Sequence, residues 1–361
     1  MIRCTLCVMP NTRPDTLFVD GVCSACLAFA RRAEVDWDAR RTALEELLER
    51  HKGRVIVPSS GGKDSTYQVM ALRDLGATPV VVTAITCHLT PIGRANIDNL
   101  ARFATTYEVS PNKKLRASLN RMALEMVGDP SWPEHVSIFT TPFRMACALK
   151  IPLIMYGENP QAEYGGPSQS SQEAREMTRR WVSEFGGFLG LRPADFQTMG
   201  YDMADYFPPP DKEIAHYAIE AHFLGQYIPW DSERNATVAS SNGMQWRTPS
   251  PANWWPWENL DNAQTGLHDY LMYRKYGFGR GCQQISVDVR NGRVTRAAAL
   301  EWVDAHDGTF NEEYAGVSMV EVLERIDVTR AHMIRILDQF TDWKLFRRVM
   351  DDVEALPMRI D

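Results

Sequence analysis

The sequence predicts an α/β protein on a doubly wound parallel sheet, with a small metal-binding module before it and a helical extension after it. Three observations carry this. Apolar runs of strand length alternate with amphipathic segments of helical period. A glycine-rich turn falls at the first junction of strand and helix, in VIVPSSGGKDSTYQVM, residues 55–70. Four cysteines near the N-terminus form two Cys-x-x-Cys pairs.

The 361 residues exceed one small domain, so two or three units are expected. Hydrophobic residues make up 44% and charged residues 24%, the balance of a globular chain. A net charge of −7 argues against nucleic acid as a default partner. No apolar run reaches the length of a membrane span, and MIRCTLCVMPNTRP lacks the apolar core of a signal peptide. A cytoplasmic protein without a membrane partner is expected, and its seven cysteines are not read as disulfides.

Taken in order, residues 1–30 are turn-rich and hold the cysteine pairs. WDARRTALEELLERH, 37–51, places Ala43, Leu44, Leu47 and Leu48 on one face, which predicts a helix. A buried strand follows at 54–57, then a helix over 65–75 stopped by Gly76. TPVVVTAI, 78–85, reads as the second strand, 94–105 as a helix, 107–109 as the third strand and 115–127 as a helix. IPLIMYGEN, 151–159, supplies the fourth strand and AHFLGQYIPW, 221–230, the fifth, with an insertion at about 165–212 closed by FPPPDK. The units are therefore 1–30, a metal module; 31–235, the α/β domain; and 236–361, mainly helical.

Ser59-Ser60-Gly61-Gly62-Lys63-Asp64-Ser65 lies between a buried strand and a helix start. Glycines let backbone N–H groups approach a ligand, and the positive end of the following helix favours an anion. Ser60 and Ser65 add hydroxyl donors and Lys63 a point charge. Asp64 would repel phosphate unless a cation such as Mg2+ stands between them, or unless it caps the helix. A plain glycine turn capped by Asp64 is the alternative, and the full S-G-G-K-D-S after a strand is much rarer. The order is not that of a Walker A loop. Ligands of such sheets sit at the carboxyl ends of the strands, so Thr83, Thr86, Gly157 and Asn159 are expected beside the loop.

Cys4-x-x-Cys7 and Cys23-x-x-Cys26, fifteen residues apart, have the spacing of a four-cysteine zinc site. Two thiolates from each pair make a closed tetrahedral site, so structural Zn2+ is expected at Cys4, Cys7, Cys23 and Cys26. A redox dithiol would need one pair. Cys147 reads as core, and neither Cys87 nor Cys282 has the setting of a nucleophile.

The S-G-G-K-D-S loop resembles the PP-loop of the ATP pyrophosphatase superfamily. More closely, CTLCVMPNTRPDTLFVDGVCSAC, VPSSGGKDSTYQV, GDPSWPEHVSIFTTPFRMA, IPLIMYGENPQAEYGGP, FLGQYIPWDSE and KYGFGRG together resemble the N-acetyl sugar amidotransferases of O-antigen and flagellin glycan biosynthesis. The resemblance spans most of the chain and is weakest at 168–212 and near the C-terminus. It implies a HUP-type doubly wound sheet in which Ser60, Gly61, Gly62, Lys63, Asp64 and Ser65 hold the pyrophosphate of ATP. It also implies AMP transfer to the oxygen of an acetamido group on a sugar or nucleotide sugar. Ammonia then attacks the O-adenylated imidate, leaving an acetamidino group and releasing AMP and PPi. The chain has no glutaminase signature. The resemblance therefore implies ammonia from a separate glutaminase subunit with a cyclase-like companion, both related to the pair used in histidine biosynthesis.

Trp132, Glu134 and His135 in DPSWPEH, with Gln161 and Tyr164 in GENPQAEYGG, are expected at the sugar. Glu158, Asn159 and Glu163 join Lys63 and Asp64 as the expected catalytic set, Glu158 or Glu163 binding Mg2+ or orienting ammonia. For any one of these, a turn cap or an arginine pairing is an equal alternative. Arg280 in GFGRG would meet a nucleotide-sugar diphosphate, a structural arginine being the alternative. Trp246, Trp254, Trp255 and Trp257 read as packing between tail and sheet. The rival reading is a PP-loop tRNA thiolation enzyme with structural zinc; it wants a basic face, which this acidic chain does not suggest. A scaffold would not need both Lys63 and Asp64.

Overall fold

Five strands form the main sheet: β1 (Arg54–Pro58), β2 (Thr78–Ala84), β3 (Thr105–Val109), β4 (Leu153–Tyr156) and β5 (Glu220–Phe223). The computed structural model describes residues 1–14 and 16–350, apart from the side chains of 347–350. Strand order is β3-β2-β1-β4-β5, and every pairing is parallel. The chain runs outward from β1 to β3, then crosses to the other side of β1 at β4. That reversal opens a crevice at the carboxyl ends of β1 and β4, the place where parallel sheets of this kind receive ligands.

Val55, Ile56 and Val57 of β1 and Leu153, Ile154 and Met155 of β4 are fully buried, the continuous apolar runs of strands covered on both faces. Helices α1 (Ser24–Arg31), α2 (Trp37–Arg50), α3 (Lys63–Asp74), α4 (Pro91–Leu100), α5 (Lys113–Val127), α6 (Trp132–Leu149) and α7 (Pro160–Tyr164) come before or between the strands. Leu44, Leu47 and Leu48 of α2 and Val69 and Leu72 of α3 pack on Val55 and Val57. The opposite face receives Ile56 and Ile154 against Ala146 and Cys147 of α6 and Trp181 of the insertion, so Cys147 is core. Each fully buried aliphatic side chain contributes roughly 1.5–3 kcal/mol.

Local chemistry sets the boundaries. Asp36 caps α2, Thr90 caps α4 ahead of Pro91, and left-handed Gly128 ends α5. The fifth strand is shorter than expected. It stops at Phe223 because Leu224, Tyr227 and Trp230 turn inward on a helical spacing to join the α2–α3 face. The insertion folds into short helices over Gln169–Glu173, Arg179–Phe185 and Pro193–Gln197, with Trp181 against Phe139 and Phe196 against Trp132.

Beyond the sheet lie α8 (Ser232–Ser241), α9 (Thr265–Tyr276), α10 (Arg280–Arg290), α11 (Arg296–His306) and further helices. The N-terminal module, a two-residue hairpin running into α1, packs on α10 and α11. Among the described residues no helix is long and apolar enough to cross a membrane.

Candidate active site

The loop after β1 is built to leave backbone donors free. Gly61 has φ +79°, and a Cβ there would lie 2.7 Å from the Ile97 nitrogen of α4, so only glycine fits. Gly62 is the N-cap of α3, and no side chain caps the helix. Among the described residues the first-turn N–H groups at this end of the crevice have no side-chain cap, which makes an anion site. Ser59 Oγ accepts from Gly61 N at 2.9 Å and donates to Ser65 Oγ at 2.8 Å. Ser65 in turn donates to the Gly62 carbonyl at 3.1 Å. Gly61→Ala is expected to cost ~1–2 kcal/mol from the left-handed backbone alone, with more from the contact on α4. Calorimetry should show a lowered unfolding midpoint; an unchanged midpoint would contradict the tight-turn account.

Asp64 does not cap α3. Its Oδ2 accepts from Lys63 Nζ at 2.5 Å and its Oδ1 from Asn235 Nδ2 at 3.0 Å. Lys63, 3% exposed, also donates to Glu258 Oε1 at 3.0 Å. Burial alone would lower the ammonium pKa, but Asp64 and Glu258 outweigh it and hold it well above the usual range. The lysine is therefore a fixed cation beside the free N–H groups.

Around the loop lies a cavity of about 370 Å³. One wall comes from the ends of β1, β2 and β4 and from α6; the other is Trp257–Asp261 of the C-terminal region together with Arg280. Gln284 Nε2 holds Glu258 at 2.8 Å. Burial pushes Glu258 up, yet Lys63 and Gln284 outweigh it and keep the carboxyl below its ordinary value. Burial, reinforced by Asp64, pushes Glu158 up to about 8, with Lys63 pulling the other way. Asp261 is raised to about 6 by burial, with Glu134 adding to the effect. Arg280 is anchored to Asp269 at 3.0 Å, so it enters the cavity as a positioned cation.

The cavity gathers Ser60, Gly61, Gly62, Lys63, Asp64, Ser65, Thr86, Glu134, Gly157, Glu158, Tyr164 and Arg280 of the residues singled out from sequence. Six others lie elsewhere. Thr83 is buried in β2. Asn159 caps α7 and donates to the Ser171 carbonyl at 2.8 Å. Glu163 pairs with Arg32 at 3.4 Å, and Gln161 is buried beneath the Gly166 turn. Trp132 packs on Phe196 with ring centroids 4.5 Å apart, and His135 Nδ1 faces the Gly187 carbonyl at 3.3 Å. Helical phase separates the α6 residues. Glu134, Ser137 and Ile138 line the cavity, while Trp132, His135 and Phe139 turn toward the insertion. Glu134 is fully engaged by Arg116 at 3.1 Å and Asn120 at 2.7 Å, so it forms a floor.

Glu258, Asp261, Asn96 and Arg116 line the cavity and were not foreseen. Glu258 falls inside the tryptophan-rich segment read as packing, and Asp261 lies just beyond it. Trp254 and Trp255 pack within the helical region itself, their indole nitrogens both donating to Asp288 of α10.

At the N-terminus the sulfurs of Cys4, Cys7, Cys23 and Cys26 lie within 4.8 Å of one another, all four residues buried. Cys4 and Cys26 Sγ are 3.8 Å apart, Cys7 and Cys23 Sγ 3.6 Å. Metal–sulfur bonds of about 2.3 Å at tetrahedral angles space sulfurs by about 3.8 Å. The set suits a metal ion.

Fold and site together define a parallel α/β protein with an anion-binding loop at its switch point, a tetrathiol metal module and a helical region that closes the cavity. Residues 251–356 match the family model described as LPS biosynthesis protein WbpG-like, C-terminal domain. Similar solved structures include the NH3-dependent NAD synthetase from Campylobacter jejuni subsp. jejuni, at 12% identity over 60% of this chain and 100% of that one, TM-score 0.28. Another is an NMN synthetase from Francisella tularensis, at 11% identity, 60% and 99% coverage and TM-score 0.25. A predicted subunit of tRNA methyltransferase from Methanocaldococcus jannaschii has 12% identity, 54% and 76% coverage and TM-score 0.28. No curated protein matches the chain.

Proposed function

We propose that this protein is an ATP-dependent amidotransferase of bacterial sugar biosynthesis, converting an acetamido group on a sugar or nucleotide sugar into an acetamidino group. The observation that carries the reading is the uncapped start of α3 beside a buried Lys63, at the mouth of a cavity lined by carboxylates. The family match over residues 251–356, described as LPS biosynthesis, supports the sugar. The wall which that region contributes, Trp257–Asp261 and Arg280, is where a sugar diphosphate would meet the nucleotide.

An amide oxygen is a poor leaving group, and ATP is consumed to improve it. The carbonyl oxygen attacks the α-phosphorus, the bond to pyrophosphate breaks with its electron pair leaving on PPi, and the amide proton passes to water. The amide N–H groups of Lys63, Asp64 and Ser65 and the Lys63 ammonium hold the departing pyrophosphate. Among the described residues the cysteines are the one preformed cluster of three or more metal-ligating groups. Mg2+ would therefore be held by Asp64 together with phosphate oxygens, where it offsets phosphate charge. Zn2+ fits the thiol cluster as a structural ion. Glu158 lines the same cavity and serves as the acceptor for the proton that the nitrogen nucleophile must lose. Ammonia would come from a separate glutaminase with its cyclase-like companion.

The test is PPi release from ATP and ammonium chloride with a panel of UDP-linked acetamido sugars, followed by mass spectrometry. The expected product is lighter than its sugar by the difference between oxygen and NH. With tRNA in place of sugar, PPi release is expected to stay at background; RNA-stimulated release would contradict the reading. The pH dependence follows from Glu158, which accepts a proton only when ionised. With its carboxyl raised to about 8, ammonium-dependent turnover should climb as pH rises through that value and fall below it. Glu158→Gln should remove this step from the profile while leaving PPi exchange.

A further inference from the structure

A second cavity, of about 500 Å³, lies between the α1–α2 segment and the loops that follow β4 and β5. Among the described residues one lines both it and the phosphate cavity: Glu158. The partition there is thin by construction. A Cβ on Gly157 would lie 3.1 Å from the Trp230 ring, and one on Gly225 would lie 3.2 Å from Trp230 Cβ and 3.5 Å from Glu158 Cα. Two glycines thus let a single layer of side chains separate the chambers.

The lining of the second cavity holds five arginines and five acidic side chains, Glu158 among them. Four of the arginines are already engaged. Arg31 pairs with Glu173 at 3.2 Å and Arg32 with Glu163 at 3.4 Å. Arg40 donates to the Gln226 carbonyl at 2.9 Å and Arg290 to the Glu163 carbonyl at 2.6 Å. Two of these contacts are ion pairs and two are to backbone carbonyls, and Arg290 Nη1 is buried without a partner. The chamber has room for a small guest, and the carboxylate at its inner end suits a proton donor. The two contacts to Glu163 also explain why it sits beside this chamber and away from the phosphates.

We propose that the second cavity is the route by which ammonia reaches the activated acceptor, with Glu158 as the shared wall at which it is handed over. This rests on the amidotransferase reading above. At that wall ammonium gives one proton to the Glu158 carboxylate, and the freed lone pair forms a bond to the imidate carbon. The carbon–oxygen bond to the nucleotide breaks, and AMP carries away its electron pair. One of the nitrogen's remaining protons passes to the imidate nitrogen, so the product leaves as an amidinium. The proton on Glu158 returns to solvent through the second cavity. The raised carboxyl is matched to this exchange. The metal module acquires a role as well, because Ala28 and Phe29 of α1 form part of the chamber wall.

Ala162→Phe and Ala28→Phe would narrow the chamber from two sides without touching Glu158 or the phosphate loop. In the full-length protein, with ATP, a responsive UDP-acetamido sugar and ammonium chloride, both are expected to raise KM for ammonium roughly tenfold, with kcat at saturating ammonium unchanged. Sugar-dependent ATP–PPi exchange, which needs no ammonia, should be unaltered in both. An unchanged KM in both folded variants would overturn the route. Thallium(I), an ammonium surrogate, offers a readout free of turnover. Crystals soaked in thallium acetate are expected to show an anomalous peak at Glu158 on the second-cavity side, and a peak confined to the phosphate cavity, or none, would overturn the proposal. Absence of sugar-dependent PPi release from the unaltered protein would instead remove the amidotransferase reading, and the route with it.

Discussion

Asp64→Ala is expected to reduce ATP-dependent PPi release about 10²–10³-fold, the scale of removing one preorganised group that stabilises transition-state charge. The fold should survive. The Asp64 side chain is a quarter exposed, and Lys63 keeps Glu258 at 3.0 Å, so no buried cation is stranded. Asn235 loses one acceptor, a cost of about 1 kcal/mol. The chemistry has no such reserve. Asp64 aims Lys63 and sits in the first turn of α3, so a cation shared with phosphate oxygens depends on it. Asp64→Asn separates the two roles. It keeps the shape and the contact with Asn235 but gives up the charge; turnover as low as in the alanine variant would assign the effect to charge. Normal PPi release from either variant, with an unchanged unfolding midpoint, would remove the loop from the reaction.

The second large effect concerns metal. Cys4→Ser is expected to reduce bound metal, read by plasma mass spectrometry, from about one ion per chain to near none, and to lower the unfolding midpoint by many degrees. A structural tetrathiolate zinc site carries roughly 10–16 kcal/mol of apparent binding free energy, and that energy is folding energy. The consequences reach far along the sequence. The cysteines share one core with Phe278, Cys282, Ile285, Ala299 and Val303. Arg296 Nε donates to the carbonyls of Cys4 and Cys7, each at 3.0 Å. On the other side, Ser24 Oγ accepts from Gly166 N at 3.2 Å, which ties the module to the insertion. Chelation should therefore loosen the C-terminal helices and the loop after β4 together. A metal-free protein that melts at the native temperature would contradict a structural ion.

How far these features could be read beforehand depended on sequence separation. β1, the glycine turn and α3 lie within one continuous stretch, and each residue's chemistry agrees with its neighbours'. The same holds for the cysteine pairs, whose spacing is itself the signal. What could not be read was the wall that comes from far along the chain. Glu258 reaches Lys63 across 195 positions, and nothing local in a tryptophan-rich segment marks it as a partner for a lysine. Composition spoke for packing there, and packing is half of what the segment does. The misplaced residues have a different origin. Asn159, Gln161 and Glu163 follow a strand that ends at the crevice, but α7 begins at Pro160 and its short turn carries them behind the wall. On α6 the DPSWPEH block was read as one unit, whereas a helix sends Glu134 and His135 in directions about 100° apart.

The account turns on the free amides of α3 as the seat of a triphosphate. A crystal structure with a non-hydrolysable ATP analogue and Mg2+ tests this most directly. The expected result is β- and γ-phosphate oxygens within hydrogen-bonding distance of the Lys63, Asp64 and Ser65 amides and of Lys63 Nζ, with the Glu258 carboxylate displaced from the lysine. Density for the triphosphate elsewhere, with the Lys63–Glu258 contact intact and the amides still free, would contradict it.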